Sequence, residues 1–145
     1  MYIGYTRIAK FQTEAELDVQ KTAIVKFGCH DANIYAEKTT REDERFELVL
    51  AVNALRKGDK LVIMRLSSLG YDLLEIGRIL EKIEQKSAHL VILDMGGAVL
   101  DSSTKLGSSM IKALNAAVLL SAEEMRERKL EDLATTRRNY AKALS

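Results

Sequence analysis

Apolar positions follow two alternating patterns along the chain. Short runs rich in β-branched and aromatic residues fall at Tyr2–Ile8, Asn33–Ala36, Leu61–Leu66 and Leu90–Leu93, and they predict strands. Between them apolar residues return at helical spacing. Leu17 and Ile24, after the acidic pair Glu14 and Glu16, predict a first helix from about Thr13 to Phe27, with Gly28 just past its end. Phe46, Val49, Leu50, Ala54 and Leu55 mark a second helix, ended by Lys57-Gly58. Leu73, Leu74, Ile76, Ile79, Leu80 and Ile83 form the stripe of a third. Glu37 to Glu44 reads as a charged loop and Gly96-Gly97 as a turn.

Strands alternating with helices predict an α/β fold: a mostly parallel sheet flanked by helices on both faces, with right-handed crossovers. After Thr104 the pattern changes. Only Gly107 interrupts a helical stretch that runs to Leu144, and the stretch contains no proline. Met110, Ile111, Leu114 and Val118 give its first half an apolar stripe, while charged residues dominate from Glu123 onward. The expected organisation is a core over residues 1–103 and a long C-terminal helix over 104–145. A helix of this length outruns so small a globule and projects unless it packs on a partner; the other arrangement is a helix folded back or frayed. Met110, Ile111, Leu114 and Val118 are the candidate oligomerisation residues.

Composition narrows the function classes. The 145 residues carry 22 basic and 21 acidic side chains, a net charge of +1, so the strongly basic body of a dedicated nucleic-acid binder is absent as a global property. The single cysteine, Cys29, excludes an internal disulfide and fits a reducing compartment, here expected to be the cytoplasm. No apolar run reaches the ~18 residues of a membrane span, and the N-terminus does not read as a secretory signal.

The residue types offer little conventional enzyme chemistry. Cys29, His30 and His89 lack metal-ligand spacing, so no metal is expected. Neither GxGxxG nor GxxxxGK[ST] occurs, so no nucleotide cofactor is expected. Ser67-Ser68 follows a strand, where parallel sheets build their sites, yet no neighbouring base activates either hydroxyl. Ser67 reads better as a helix cap or turn residue. Arg7 and Arg45 are candidate phosphate clamps. Arg126, Arg128, Lys129, Arg137, Arg138 and Lys142 stand on the last helix as candidate DNA-backbone contacts. Five acids between Glu123 and Asp132 offset the first three; beyond Asp132 only the last three remain.

In order and spacing these segments resemble the N-terminal catalytic domain of the resolvase/invertase serine recombinases, from Met1 to about Ala134. Tyr2-Ile3-Gly4-Tyr5-Thr6-Arg7-Ile8 resembles the family's opening, Leu17-Asp18-Val19-Gln20 its LDLQ, and Gly28-Cys29 its GC. Glu37 with Arg45-Phe46-Glu47-Leu48 resembles E…RPEL, with Phe46 where proline is usual. Gly58-Asp59-Lys60-Leu61-Val62-Ile63 resembles GDxLVV, Asp101-Ser102-Ser103-Thr104 with Gly107 resembles DTSTPTG, and Glu127-Arg128 falls on the second ER of the long-helix motif. The resemblance implies a parallel-sheet domain and a long helix used in dimerisation and DNA contact. It also implies a chemistry in which a serine attacks a DNA phosphate and arginines stabilise the transition state, without metal or nucleotide.

The departures fall on that chemistry. Ala9 stands at the nucleophile position. Ser67, Ser68 and Tyr71 replace the aspartate and two arginines of LDRLGR, and Ser121-Ala122 replaces the first ER. Only Arg7 and Arg45 persist. The sequence therefore predicts an inactive homologue, a pseudoenzyme that forms a homo-oligomer, dimer or tetramer, through its long helix and associates with DNA or with an active recombinase. The alternatives are an active but divergent recombinase and a DNA-binding accessory protein. With the chain ending at Ser145, no helix-turn-helix domain is expected.

Overall fold

The computed structural model describes residues 1–40 and 44–144. Its elements run in chain order as β1 (Tyr2–Ala9), α1 (Glu14–Phe27), a 3-10 turn (Asp31–Asn33), β2 (Ile34–Thr39), α2 (Phe46–Ala54) and β3 (Lys60–Ile63). A second 3-10 turn (Leu66–Leu69), α3 (Leu73–Gln85), β4 (His89–Met95), β5 (Ala98–Asp101) and α4 (Lys105–Leu144) complete it. One sheet has the order β2-β1-β3-β4-β5. The first four strands are parallel, and β5 returns antiparallel to β4 across the Gly96-Gly97 turn.

The two-residue period of the strands divides the interior. Ile3, Tyr5, Leu61, Ile63, Leu90 and Ile92 point to one face, where α2 and α3 cover them and Ile111 and Leu114 of α4 pack alongside. Val62 and Val91 point to the other face, with Ile24 of α1 and Cys29. Each such side chain contributes about 1.5–3 kcal/mol by leaving water. Gly4 lets α1 approach closely: a Cβ there would lie 2.8 Å from Ile24 Cγ2 and 3.3 Å from Cys29 Sγ. Burial pushes the Cys29 thiol pKa up, so this cysteine is a neutral core side chain.

Three local expectations shift. β2 runs on through Glu37, Lys38 and Thr39, because Arg7, Ile8 and Ala9 of β1 pair with them and satisfy their backbone; of the expected charged loop, residues 41–43 lie outside the described residues. The segment after Ile63 leaves the sheet at Met64, so Leu66 belongs to the 3-10 turn. In α2 the buried face is Leu48, Ala51 and Val52, while Val49 and Leu50 are exposed.

The C-terminal stretch is a single α-helix of 40 residues, about 60 Å long. Gly107 does not interrupt it. It is buried where α4 leaves the hairpin, and a Cβ there would lie 1.9 Å from the Asp101 carbonyl oxygen. Thr104 Oγ1 accepts the Gly107 N–H at 3.0 Å and donates to the Asp101 carbonyl at 2.8 Å, which caps the helix start. The Asp101 carboxylate receives Lys60 Nζ at 2.7 Å and the N–H and hydroxyl of Ser103, so the joint is tied to β3. Gly77 of α3 brings α4 close: a Cβ there would lie 2.7 Å from Val118 Cγ1. From Glu123 to Leu144 every residue is exposed. A body of about 100 residues has a radius of gyration of about 13 Å, so the far half of this helix stands clear of it.

Candidate functional site

The carboxyl ends of β1, β2 and β3 open onto one edge of the sheet, the edge where parallel α/β domains bind ligands. Arg7 comes from β1, Thr39 from β2, and Ser67 and Ser68 from the turn after β3. Arg45 stands immediately before α2, and Tyr71 lies between the 3-10 turn and α3. Residues distant in sequence thus meet in one cluster.

Arg7 is held by Thr39: its Nε donates to the hydroxyl at 2.7 Å and its Nη2 to the carbonyl at 3.3 Å. Arg45 Nη1 donates to the Ser68 carbonyl at 2.7 Å. Both guanidinium carbons lie over the ring of Tyr71, at 4.3 Å for Arg7 and 4.7 Å for Arg45. The negative face of the ring attracts each cation. Tyr71 is itself fixed, its N–H donating to a carboxylate oxygen of Glu75 at 2.6 Å and its hydroxyl to the Thr39 carbonyl at 3.4 Å. Gly70 makes room for that carboxylate, since a Cβ on it would lie 2.7 Å from Glu75 Cβ. Burial, and then the charge of Arg45, hold the Arg7 pKa below its usual value. Arg45 Nη2 is buried and has no hydrogen-bond partner among the described residues; the same holds for Thr6 Oγ1 and Gln20 Oε1.

Behind this cluster Glu37 links β2 to α2. One of its carboxylate oxygens receives the Tyr5 hydroxyl, and the other accepts the Glu47 N–H in the first turn of α2 at 3.0 Å. That second bond fixes the helix start that carries Arg45. Tyr5 is fully buried, and burial followed by the neighbouring carboxylate push its pKa well above the usual value.

Ala9 ends β1 with a methyl group. Its N–H donates to Gln12 Oε1 at 2.7 Å, and its carbonyl accepts the Gln12 N–H at 3.0 Å, which forms a tight turn. Beside it a polar pocket of about 150 Å³ is lined by Arg7, Gln12, Gln20, Met64, Arg65, Ser67 and Ser68. Ser67 is exposed inside the 3-10 turn; it caps no helix, and the cap of α3 is Asp72, whose carboxylate accepts the Glu75 N–H. Ser68 is buried and serves Arg45 through its carbonyl. Among the described residues no group of three His, Cys, Asp or Glu side chains is placed to hold a metal ion.

On α4, Arg126, Arg128, Lys129, Arg137, Arg138 and Lys142 are all exposed. The four apolar candidates divide. Ile111 and Leu114 pack on the core of the chain, and Val118 rests on Gly77. These three are spent within the chain, because the face that carries them is the one that docks on α3. Met110 stays outward. With Leu106, Ala113, Ala117 and Leu120 it forms an exposed apolar seam at alternating four- and three-residue steps. Leu130, Leu133, Tyr140 and Leu144 are also exposed along the far half.

Sequence reasoning identified Arg7 and Arg45 by residue type. It missed that Tyr71 unites them and that Glu37 and Thr39 position them. Glu37 stood out only through the resemblance of Glu37 and Arg45-Phe46-Glu47-Leu48 to E…RPEL, which does not announce its bonds to Tyr5 and to the Glu47 N–H.

Known proteins resemble this chain in sequence and in fold. The family model for the resolvase N-terminal domain matches residues 2–141. The Tn1721 transposon resolvase of Escherichia coli is 24% identical over 140 residues, spanning 96% of this chain and 72% of the resolvase. The serine recombinase gin of Escherichia phage Mu is 28% identical over 139 residues, 94% of this chain and 68% of that protein. Among solved structures, the N-terminal catalytic domain of TP901-1 integrase superposes with a TM-score of 0.64 at 16% identity, covering 90% of this chain and 99% of that domain. A resolvase family site-specific recombinase from Streptococcus pneumoniae gives 0.65 at 16% identity, covering 95% and 99%.

Proposed function

Since the chain belongs to the resolvase family through its N-terminal domain, we propose that it is a non-cleaving member, which keeps the recombinase catalytic fold and works by self-association and contact with DNA in the cytoplasm. The observation that carries this reading is Ala9. The position that needs a nucleophile ends in a methyl whose backbone is closed into a turn by Gln12. Phosphoryl transfer of this kind needs an attacking oxygen and several cations placed around the developing charge. Ser67, Ser68 and Tyr71 supply no cation, and the two remaining arginines face a tyrosine ring.

Self-association rests on the outward seam from Leu106 to Leu120 and on a helix that leaves its own globule. A second copy is the partner that fits such a seam, since apolar residues at alternating four- and three-residue steps pack well on an equivalent helix. Contact with DNA rests on Arg137, Arg138 and Lys142, which stand exposed near the far end of α4.

Sedimentation velocity at tens of micromolar tests the association. The expected species is a dimer or tetramer that the double substitution Leu106→Asp with Leu120→Asp converts to monomer. A wild-type monomer overturns the association, and a complex formed only after mixing with an active recombinase moves the partner to that protein. Fluorescence anisotropy of a labelled mixed-sequence duplex tests the DNA contact. The expected dissociation constant lies in the non-specific range of ~10⁻⁴–10⁻⁶ M near physiological salt and weakens as salt rises. Arg137→Ala with Arg138→Ala should flatten that slope; an unchanged slope removes this patch from the interface.

A further inference from the structure

The Arg7–Arg45 pair lies at the carboxyl edge of a parallel sheet, half-buried, with both cations turned to one neutral ring. Two guanidinium groups this close repel each other, and a half-buried pair ordinarily needs a counter-charge. Glu37, whose charge reaches Arg7, directs its own oxygens to the Tyr5 hydroxyl and the Glu47 N–H. Glu75 is turned to the Tyr71 N–H. Among the described residues, the groups in direct contact with the pair are the π-face of Tyr71 and three neutral oxygens: the Thr39 hydroxyl and the carbonyls of Thr39 and Ser68. Of the pair's guanidinium nitrogens, Arg45 Nη2 is buried with no hydrogen-bond partner among the described residues.

We infer that Tyr71 is a built-in stopper of the arginine pair, an intramolecular occupant that stands where an oxyanion would otherwise bind. The inference rests on the reading of the site as a non-cleaving one. Three features make the stopper a placed group. Gly70 clears the space that lets Glu75 grip the Tyr71 backbone. The hydroxyl reaches the same Thr39 carbonyl that Arg7 uses. Both cations converge on one ring. The ligand class released by removing the ring is a tetrahedral oxyanion, which two adjacent guanidinium groups hold through charge-assisted hydrogen bonds.

The test is NMR titration of the full chain with inorganic phosphate, following the Nε–Hε resonances of Arg7 and Arg45, assigned with Arg7→Lys and Arg45→Lys. In the wild type both resonances should carry the ring-current shift of Tyr71 and should not move with phosphate. Tyr71→Leu, which keeps an apolar bulk without the π-face, should lose that shift and bind phosphate. The affinity gain should be roughly tenfold or more, the ratio a cation–π contact of ordinary strength corresponds to. Tyr71→Phe keeps the ring and should behave as wild type. Equal phosphate response in wild type and Tyr71→Leu overturns the stopper, and so does a Tyr71→Leu protein that folds but gains no response. If Tyr71→Leu does not fold, the wild type alone decides: arginine resonances without a ring-current shift, or displaced by phosphate, overturn the inference. None of these outcomes depends on the oligomeric state or on strand cleavage, so failure here leaves the functional reading to its own tests.

Discussion

The Tyr5 hydroxyl donates to a carboxylate oxygen of Glu37, and this single bond joins the centre of the sheet to the residue that holds the first turn of α2. Tyr5 has no exposed surface. Its pKa is raised in the folded protein by burial and then by Glu37, while the unfolded chain titrates near the ordinary value of 10.0. The folded state thus holds this proton more tightly than the unfolded one. The stability it confers is complete below pH ~10 and declines as pH rises further, because only the unfolded chain then releases the proton. Urea unfolding of Tyr5→Phe should show a loss of about 1 kcal/mol at neutral pH and a shallower alkaline decline than the wild type.

Asp101 gives the opposite limb. Burial raises its pKa, but the hydrogen bonds from Lys60 and Ser103 outweigh burial and leave it depressed. A depressed carboxylate stabilises above its unfolded pKa, and that contribution is lost as pH falls through the folded value. Asp101→Asn should cost roughly 1–2 kcal/mol at pH 7. The difference from wild type should shrink on acidification below pH ~4, where the unfolded carboxyl begins to protonate. Chemical denaturation at two pH values measures both.

The two close-approach glycines around α4 should behave differently. At Gly107 the obstacle to a Cβ is the Asp101 backbone oxygen, which has nowhere to go; Gly107→Ala should cost roughly 2–3 kcal/mol. At Gly77 the obstacle is the Val118 side chain. A helix propensity gain of about 1 kcal/mol offsets part of the overpacking cost, so Gly77→Ala should lose only about 1 kcal/mol. Adding Val118→Ala should relieve that clash, giving a coupling above about 0.5 kcal/mol in a double-mutant cycle.

Restoring the nucleophile should not restore the reaction. Ala9→Ser places a hydroxyl at the end of β1 beside the pocket lined by Arg7, Ser67 and Ser68, with both arginines still committed to Thr39, Ser68 and Tyr71. The expected outcome is no protein–DNA adduct under denaturing conditions on any duplex that the protein binds. A trapped adduct would show that the arginine pair is sufficient for transfer.

Much of this architecture is legible in the chain because burial sets the period. Leu61, Val62 and Ile63 alternate between two cores, and so do Leu90, Val91 and Ile92; their unbroken apolar character reflects helices on both faces. β5 was not legible. Ala98-Val99-Leu100-Asp101 buries only Leu100 fully, and its pairing comes from the Gly96-Gly97 turn. The far part of β2 was hidden by Glu37 and Lys38, whose charges suggest a loop although their backbone is paired to β1. In the site, residue type revealed the arginines, but their geometry depends on a tyrosine ring supplied from a later turn, and no local pattern announces that meeting. The apolar stripe of α4 announced burial without saying against what, and the structure assigns Ile111, Leu114 and Val118 to the chain itself.

The capped joint at Asp101, Thr104 and Gly107 makes α4 a lever. Its fulcrum has no slack, because a backbone oxygen fills the space that a side chain at position 107 would take. Over a rod of ~60 Å, a tilt of about ten degrees at that end carries the tip through roughly 10 Å. That sweep equals about three base-pair steps along a duplex. A small repacking where β3, β5 and α4 meet is therefore magnified into the reach of Arg137, Arg138 and Lys142.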